Sequence, residues 1–212
     1  MNTILTNVLP ISALLISTFA LALSIITAWL TLFRRGTIKM TQPTQIFFGY
    51  DKPRDGDKSA WPKVFLRTLL FATSKRGRVV ENIYVKLTCE DIVQSFNVWV
   101  YGERDELVRG SGLFVGETGV EAYHHFLTSR SDSPFHFIQG TYRLDVHAHI
   151  LGQKNSKLLF SHLLNVTDEE ALLIGEQNSG LYFDWDPDEN RYAHHLKQVA
   201  KSFWENPLPR SP

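Results

Sequence analysis

The sequence has little of what most enzymes and nucleic-acid-binding proteins need. Its 212 residues include a single cysteine, Cys89, so no internal disulfide can form, and we expect this residue to be buried on a strand. The 22 lysines and arginines balance the 22 aspartates and glutamates, which leaves no basic excess for a nucleic-acid partner. The Gly-x-Ser-x-Gly, His-Glu-x-x-His and Walker-loop patterns are missing. We therefore expect a protein that is not an enzyme and needs no cofactor.

Charge is also missing from the stretch between Met1 and Phe33. The apolar run over residues 8–33 is longer than the ~20 helical residues that cross a bilayer core of ~30 Å. A cleaved signal peptide would instead have a positive N-terminal region and an apolar stretch of about 7–15 residues. The sequence thus predicts an uncleaved transmembrane anchor over residues 1–35, with Trp29 placed as an interfacial aromatic.

The basic residues near this anchor all follow it, as Arg34, Arg35 and Lys39. Lys and Arg are enriched in the cytoplasmic flanks of membrane spans. We therefore expect the soluble domain on the cytoplasmic side. The compact plan of the chain suggests a single-pass protein of bacterial type, in the cell (inner) membrane.

The chain beyond the anchor predicts a mainly β, antiparallel domain. Short runs rich in β-branched and aromatic residues are separated by turn signals, which is typical of a sandwich or a barrel. The polar stretch from Lys52 to Ala60 is expected to be a surface loop. Eight strands are predicted, over residues 44–50, 63–73, 79–88, 95–101, 106–115, 120–127, 141–151 and 157–166.

The clearest strand pattern lies between Gly140 and Ile150, where apolar and polar residues alternate. Such a strand covers a core with one face only, as antiparallel sheets do. The stretch from Gln139 to Ala148, in which a turn glycine precedes Tyr-x-Leu-x-Val, resembles the penultimate strand of immunoglobulin-like sandwiches. The resemblance implies an immunoglobulin-like β-sandwich within residues 36–176, with Trp99 as a core residue but without the cysteine pair of antibody domains.

A different element is predicted at the end of the chain. Asp186-Pro-Asp-Glu189 has the N-cap, the first-turn proline and the returning glutamate of a helix start. The apolar residues that follow recur at helical spacing, as Tyr192, Leu196, Val199, Ala200 and Phe203. We predict an amphipathic helix within a C-terminal segment of residues 177–206, docked on the sandwich, on the membrane or on a partner helix. A Pro-rich tail over residues 207–212 follows.

Lys75, Arg76 and Arg78 form the densest basic cluster of the chain, around Gly77. The pattern predicts the tip of a hairpin, where charges discourage pairing between strand edges. Attraction to anionic lipid headgroups is the alternative.

Candidate metal ligands come from the geometry of the alternating strand. Asp145, His147 and His149 share its polar face, and His162 lies on the next predicted strand. Imidazoles and a carboxylate are ligands that suit zinc or iron. The same residues also fit a plain polar strand face that contacts a partner, so the sequence leaves both interpretations open.

Two loops, over residues 102–110 and 128–139, mix charge with aromatic side chains and suit a protein interface. Their candidate interaction residues are Arg104, Arg109, Arg130, Phe135 and Phe137. The expected function is a membrane-anchored, non-enzymatic interaction or scaffolding module that binds another protein or a second copy of itself. The alternative is a metal-handling or assembly-factor domain that uses Asp145, His147, His149 and His162.

Overall fold

The computed structural model describes residues 2–34, 36–51, 60–103, 106–129, 135–175 and 179–198. Helix α1 spans Asn2–Ala28 and continues as a π-helical turn over Trp29–Phe33. Within it, Ser12–Phe33 is long and apolar enough to cross a membrane, and none of its apolar window is buried in the protein. The described residues contain no second helix of this kind. The predicted apolar N-terminal helix is thus confirmed.

The connection between this helix and the β structure is short. The N–H of Arg34 still donates to the carbonyl oxygen of Trp29, at 2.9 Å. The N–H of Gly36 already donates to Oγ of Ser74, at 3.1 Å. The chain is therefore held by the β domain from the second residue after Arg34.

Thirteen strands and a second helix follow within the described residues. They are β1 (Ile38–Met40), β2 (Gln45–Asp51), β3 (Trp61–Ala72), β4 (Arg78–Cys89), β5 (Ile92–Phe96), β6 (Val98–Glu103), β7 (Glu106–Arg109), β8 (Leu113–Val115), β9 (Val120–Leu127), β10 (Gly140–Ile150), β11 (Lys157–Val166), α2 (Asp168–Gly175), β12 (Ser179–Asp186) and β13 (Arg191–Gln198). The first sheet has the order β13-β12-β2-β3-β9-β6-β7, with β1 paired to the end of β3. The second sheet has the order β11-β10-β4-β5, with β8 paired to β4.

The two antiparallel sheets share one hydrophobic core, to which both contribute buried side chains. Burial alternates along β10 as predicted, so that Tyr142 and Leu144 point inward. Phe48 on β2 contacts Tyr142 from the opposite sheet, with ring centroids 5.7 Å apart. Cys89 and Trp99 are each 2 % exposed, which confirms both as core residues. The mainly β, two-sheet prediction is confirmed.

The predicted strands agree with the observed ones in most places. The ranges 120–127 and 157–166 match β9 and β11 at both ends. The predicted strand 95–101 crosses the break between β5 and β6, and the range 106–115 contains both β7 and β8. The basic turn around Gly77 is not a hairpin tip, because it joins β3 of the first sheet to β4 of the second.

The predicted C-terminal helix is wrong over residues 187–198. Residues 187–190 form a turn, and β13 then pairs antiparallel with β12, which pairs in turn with β2. The remaining stripe residues, Val199, Ala200 and Phe203, and the tail over 207–212 lie outside the described residues.

The sequence signals used for that helix are satisfied by the hairpin. Oδ1 of Asp186 accepts the N–H groups of Asp188 and Glu189, at 3.0 and 3.2 Å, so the capping chemistry closes a turn. Tyr192 and Leu196 are four residues apart, which places them on one face of a strand as well as of a helix. The pattern therefore could not separate the two structures.

Close packing of a ring on the outside of the first sheet explains two of its glycines. Phe47 on β2 lies over Gly49 and Gly180, which are paired across β2 and β12. A Cβ added at Gly180 would lie 2.0 Å from Cε2 of Phe47, which is only 8 % exposed. The missing side chains thus leave the space that the ring occupies.

We expect Gly180→Ala to destabilise the protein by about 1–3 kcal/mol, the usual cost of overpacking, because the Phe47 ring must move. Gly116→Ala is the matched control, since an added Cβ there has no neighbour nearer than 3.9 Å. Denaturant unfolding of the full chain in detergent measures both variants. Equal stability of the two would contradict this packing.

Tyr142 fixes the segment that enters β10. Its hydroxyl accepts the N–H of Ile138 at 2.8 Å and donates to the carbonyl oxygen of the same residue at 2.9 Å. The backbone N–H and the carbonyl oxygen of Ile138 are thus both hydrogen-bonded to one buried side chain, as buried backbone groups require. This pair of bonds holds residues 135–138 against the end of the core.

Candidate interaction surface

The outer face of the second sheet carries three rows of side chains. Strand register places them side by side as Leu163, Arg143, Thr88 and Val93, then Ser161, Asp145, Lys86 and Ser95, then Leu158, His147 and Tyr84. They alternate with the buried residues of their strands and therefore point away from the core. We call these residues the second-sheet face.

Large apolar side chains are exposed at the borders of this face. Leu163 is 63 % exposed and Leu158 is 50 % exposed, both on β11. Val93, on the opposite edge strand β5, is 60 % exposed. Single exposed leucines are ordinary on protein surfaces, but these three surround one ordered polar patch.

Asp145 is held at the centre of the face by two neighbours. Its Oδ1 accepts a hydrogen bond from Oγ of Ser161 at 2.6 Å, and its Oδ2 accepts one from Nε of Arg143 at 3.1 Å. Both carboxylate oxygens are thus occupied by groups of this chain.

His147 is held by stacking. Its ring lies parallel to that of Tyr84, with centroids 5.0 Å apart and planes at 8°. The Tyr84 hydroxyl is in turn 2.8 Å from Oγ of Ser156. Burial lowers the pKa of His147, with Lys86 acting in the same direction and Asp145 against it, which favours the neutral imidazole.

The four candidate metal ligands do not meet at one point. Nε2 of His149 is 3.1 Å from Oε2 of Glu81, whereas the ring of His147 stacks on Tyr84. His162 pairs opposite Leu144 and faces the core side, where its ring contacts Tyr192 at 4.9 Å. Among the residues that the structure describes, no group of three or more His, Cys, Asp or Glu side chains is placed to hold a metal ion.

The candidate loop residues are divided between core and surface. Phe135 and Phe137 are 9 % and 5 % exposed, and they pack on each other with ring centroids 5.2 Å apart. The expectation that they form an exposed interface is therefore wrong, because they fill the end of the two-sheet core. Arg109 is exposed on the edge strand β7. Arg104 and Arg130 lie outside the described residues.

The adjacent histidines of β9 point to opposite sides of the first sheet. His124 is 2 % exposed, and its Nδ1 accepts a hydrogen bond from Nε1 of Trp99 at 3.1 Å. His125 lies on the outer side against Phe65, with ring centroids 4.9 Å apart. Burial lowers the pKa of His124 to about 4, and burial together with Lys63 and His124 lowers that of His125 to about 3.

These histidines make stability depend on pH. Their folded pKa values lie below the unfolded value of about 6.5, so the unfolded chain takes up protons first as the pH falls. We expect the free energy of unfolding to be highest above pH ~6.5 and to decrease by about 2 kcal/mol at pH ~5 through His124 alone. Denaturant titrations of the full chain at several pH values measure this decrease.

The variant His124→Asn separates this effect from other titrations. The asparagine Oδ1 can still accept from Trp99, but the side chain does not titrate. The variant is expected to lose stability at all pH values and to show a weaker dependence on pH. An unchanged pH dependence would rule out His124 as its source.

A buried carboxylate that sequence reasoning missed joins α2 to the C-terminal hairpin. Oε2 of Glu170 accepts the N–H and the hydroxyl of Thr167, at 2.8 and 2.9 Å, while Oε1 lies 2.6 Å from Nδ1 of His194. Burial alone would raise the pKa of Glu170, but these hydrogen bonds lower it overall. The Thr-x-x-Glu spacing of a capping box was the available signal.

Comparisons with protein-family models, with curated proteins and with solved structures find no match for this chain. The polar groups of the second-sheet face are held by neighbours in the chain and its apolar borders are exposed, which is an arrangement suited to binding a protein surface.

Proposed function

We propose that this protein is a membrane-anchored, non-enzymatic interaction module that binds another protein through the second-sheet face. The observation that carries the proposal is the combination of exposed Leu158, Leu163 and Val93 with the ordered Asp145 and His147 between them. Side chains already held in one rotamer lose little conformational entropy on binding. Apolar groups at the borders supply area that a partner can bury.

The domain is proposed to be an immunoglobulin-like sandwich. In such domains the sheet neighbours are A, B, E and D in one sheet and G, F and C, with C′ added in variable types, in the other. The orders β2-β3-β9-β6 and β11-β10-β4-β5 follow this pattern when strands are assigned in chain order. The bonds of Tyr142 to Ile138 support the proposal, because a tyrosine at the start of strand F makes such bonds in this fold.

Tethering to the membrane would raise the effective concentration of a weakly binding partner. We propose that helix α1 spans the cell (inner) membrane and that the domain lies on the cytoplasmic side. The basic residues Arg34 and Lys39, which follow the apolar window, support this orientation.

Protease treatment of sealed, right-side-out membrane vesicles that contain the full chain tests the orientation. The β domain is expected to be protected in sealed vesicles and digested once the vesicles are opened. Digestion of the domain in sealed vesicles would place it on the outer side and refute the proposed orientation.

Site-specific photo-crosslinking tests the binding surface. A photoreactive phenylalanine analogue at Leu158, in the full chain in native membranes, is expected to form a covalent adduct with one protein partner. The double variant Leu163→Asp and Val93→Asp should reduce this adduct about tenfold, because charges would be buried in the interface. Leu172→Asp on α2 is the control, since Leu172 is 68 % exposed but lies outside this face.

Two differently tagged copies of the chain identify the partner class. An adduct between the copies would make the partner a second copy and the protein a self-associating scaffold. Absence of any adduct would refute binding at the second-sheet face. An adduct of equal yield in the double variant and in the Leu172→Asp control would refute it as well.

A further inference from the structure

Four segments meet at the end of the domain that receives the helix. Residues 36–40 bond to residues 73–78, since the carbonyl oxygen of Thr37 accepts the N–H of Thr73 at 2.9 Å. Residues 113–119 join them through β8, in which Val115 pairs with Arg78. Residues 151–157 are attached through Lys157, whose Nζ donates to the carbonyl oxygen of Ile38 at 2.9 Å. We call these segments together the anchor-proximal surface.

The anchor-proximal surface is strongly basic. Its described residues include one acidic residue, Glu117, and six basic ones, with Arg34 next to them in the chain. The six are Lys39, Lys75, Arg76, Arg78, Lys154 and Lys157. The whole chain has no net charge, so the positive charge here is balanced elsewhere. The asymmetry is local to the end of the domain next to the helix.

The turn between β3 and β4 lies beside the last turn of the apolar helix. Lys75 and Arg76 line one open cleft together with Thr31 and Leu32. The uncharged stretch of the helix ends at Phe33, and the first charged side chain, Arg34, follows it directly. Thr31 and Leu32 lie in the last turn before this change from apolar to basic residues, which is where a membrane span reaches the headgroups. On the proposed insertion of α1, Lys75 and Arg76 beside them lie at the depth of the headgroups.

Exposed apolar side chains accompany these cations. Phe114 is 62 % exposed and packs on Gly77, whose φ of +66° and lack of a Cβ allow the ring to approach. Leu151 is 54 % exposed, and its carbonyl oxygen accepts a hydrogen bond from Nη2 of Arg78 at 3.2 Å. Aromatic and aliphatic groups beside Lys and Arg are the composition of surfaces that lie in a membrane interface.

We propose that the anchor-proximal surface binds anionic phospholipid headgroups and holds the β domain against the bilayer. Lys75, Arg76 and Arg78 contact the phosphates, while Phe114 and Leu151 enter the interface. The inference rests on the proposed membrane insertion of α1, which sets the depth of the turn. Insertion of α1 alone would hold the β domain near the bilayer whatever the charge of the lipids, whereas the proposed contact depends on that charge.

Fluorescence quenching in a reconstituted bilayer tests this contact. The full chain with Thr118→Cys, in the turn over residues 116–119, is labelled with a fluorophore, and buried Cys89 stays unlabelled. Vesicles contain phosphatidylcholine alone or mixed with phosphatidylglycerol, each with the same fraction of a headgroup-linked quencher. Quenching is expected to be about twofold stronger in the anionic vesicles and to weaken in high salt, which screens exposed charges.

A matched pair of double variants assigns the effect to the turn. Lys75→Gln with Arg76→Gln should abolish the difference between the two lipid mixtures. Arg109→Gln with Lys197→Gln removes the same charge from β7 and β13, outside the four segments, and should preserve it. Equal quenching in both mixtures, or equal effects of the two double variants, would overturn the proposal.

Alkaline extraction of the same vesicles separates this inference from the proposed anchoring. A chain that is released from the bilayer would refute membrane insertion and with it the lipid contact. A chain that stays inserted but shows no dependence on lipid charge would refute the lipid contact alone.

Discussion

The packing around Phe48 is the contact on which most of the structure depends. Its ring meets Tyr142 of the second sheet, Phe137 of the loop before β10, and Phe183 of the C-terminal hairpin, with centroid distances of 5.7, 5.3 and 5.2 Å. One fully buried side chain thus joins parts of the chain that are far apart in sequence. Aromatic rings bury large areas and prefer such edge-to-face and offset contacts, so the loss of this ring would weaken the packing between the two sheets and against both the loop and the hairpin.

The proposed binding surfaces lie on the outside of the domain. Phe135 and Phe137 are buried at one end of the core and do not form an exposed interface. Trp99 donates a hydrogen bond to His124 inside the same core. His124 and His125 are packed in their neutral form, and because burial lowers their pKa values the folded protein loses stability as the pH falls. Among the described residues, exposed apolar groups lie next to ordered polar or basic ones on the second-sheet face and on the anchor-proximal surface. The proposals about partners and lipids follow from this distribution.

Sequence patterns predicted the features that depend on local periodicity. The alternation along β10 assigned Tyr142 and Leu144 to the core, and the uncharged run before Arg34 identified the helix. Features that depend on long-range pairing were not predictable. Apolar residues lie on both faces of β11, so its pattern did not reveal that His162 pairs opposite Leu144 and faces inward. The four-residue spacing of Tyr192 and Leu196 fits one face of a helix and one face of a strand. Only the pairing of β13 with β12 decides between the two structures.

The direction of the strands would couple the two proposed surfaces. β3 of the first sheet ends and β4 of the second begins at the turn that lies beside Thr31 and Leu32, so one strand of each sheet extends from the end that receives the helix. If lipid contacts hold that end on the bilayer, the sheets stand upright and the second-sheet face is turned sideways, parallel to the membrane normal. A partner held in or on the same membrane would then meet Leu163, Asp145 and His147 without either molecule leaving the surface. Lipid charge would thereby act on partner binding through orientation, because a domain that tilts freely presents this face in the required direction for only part of the time.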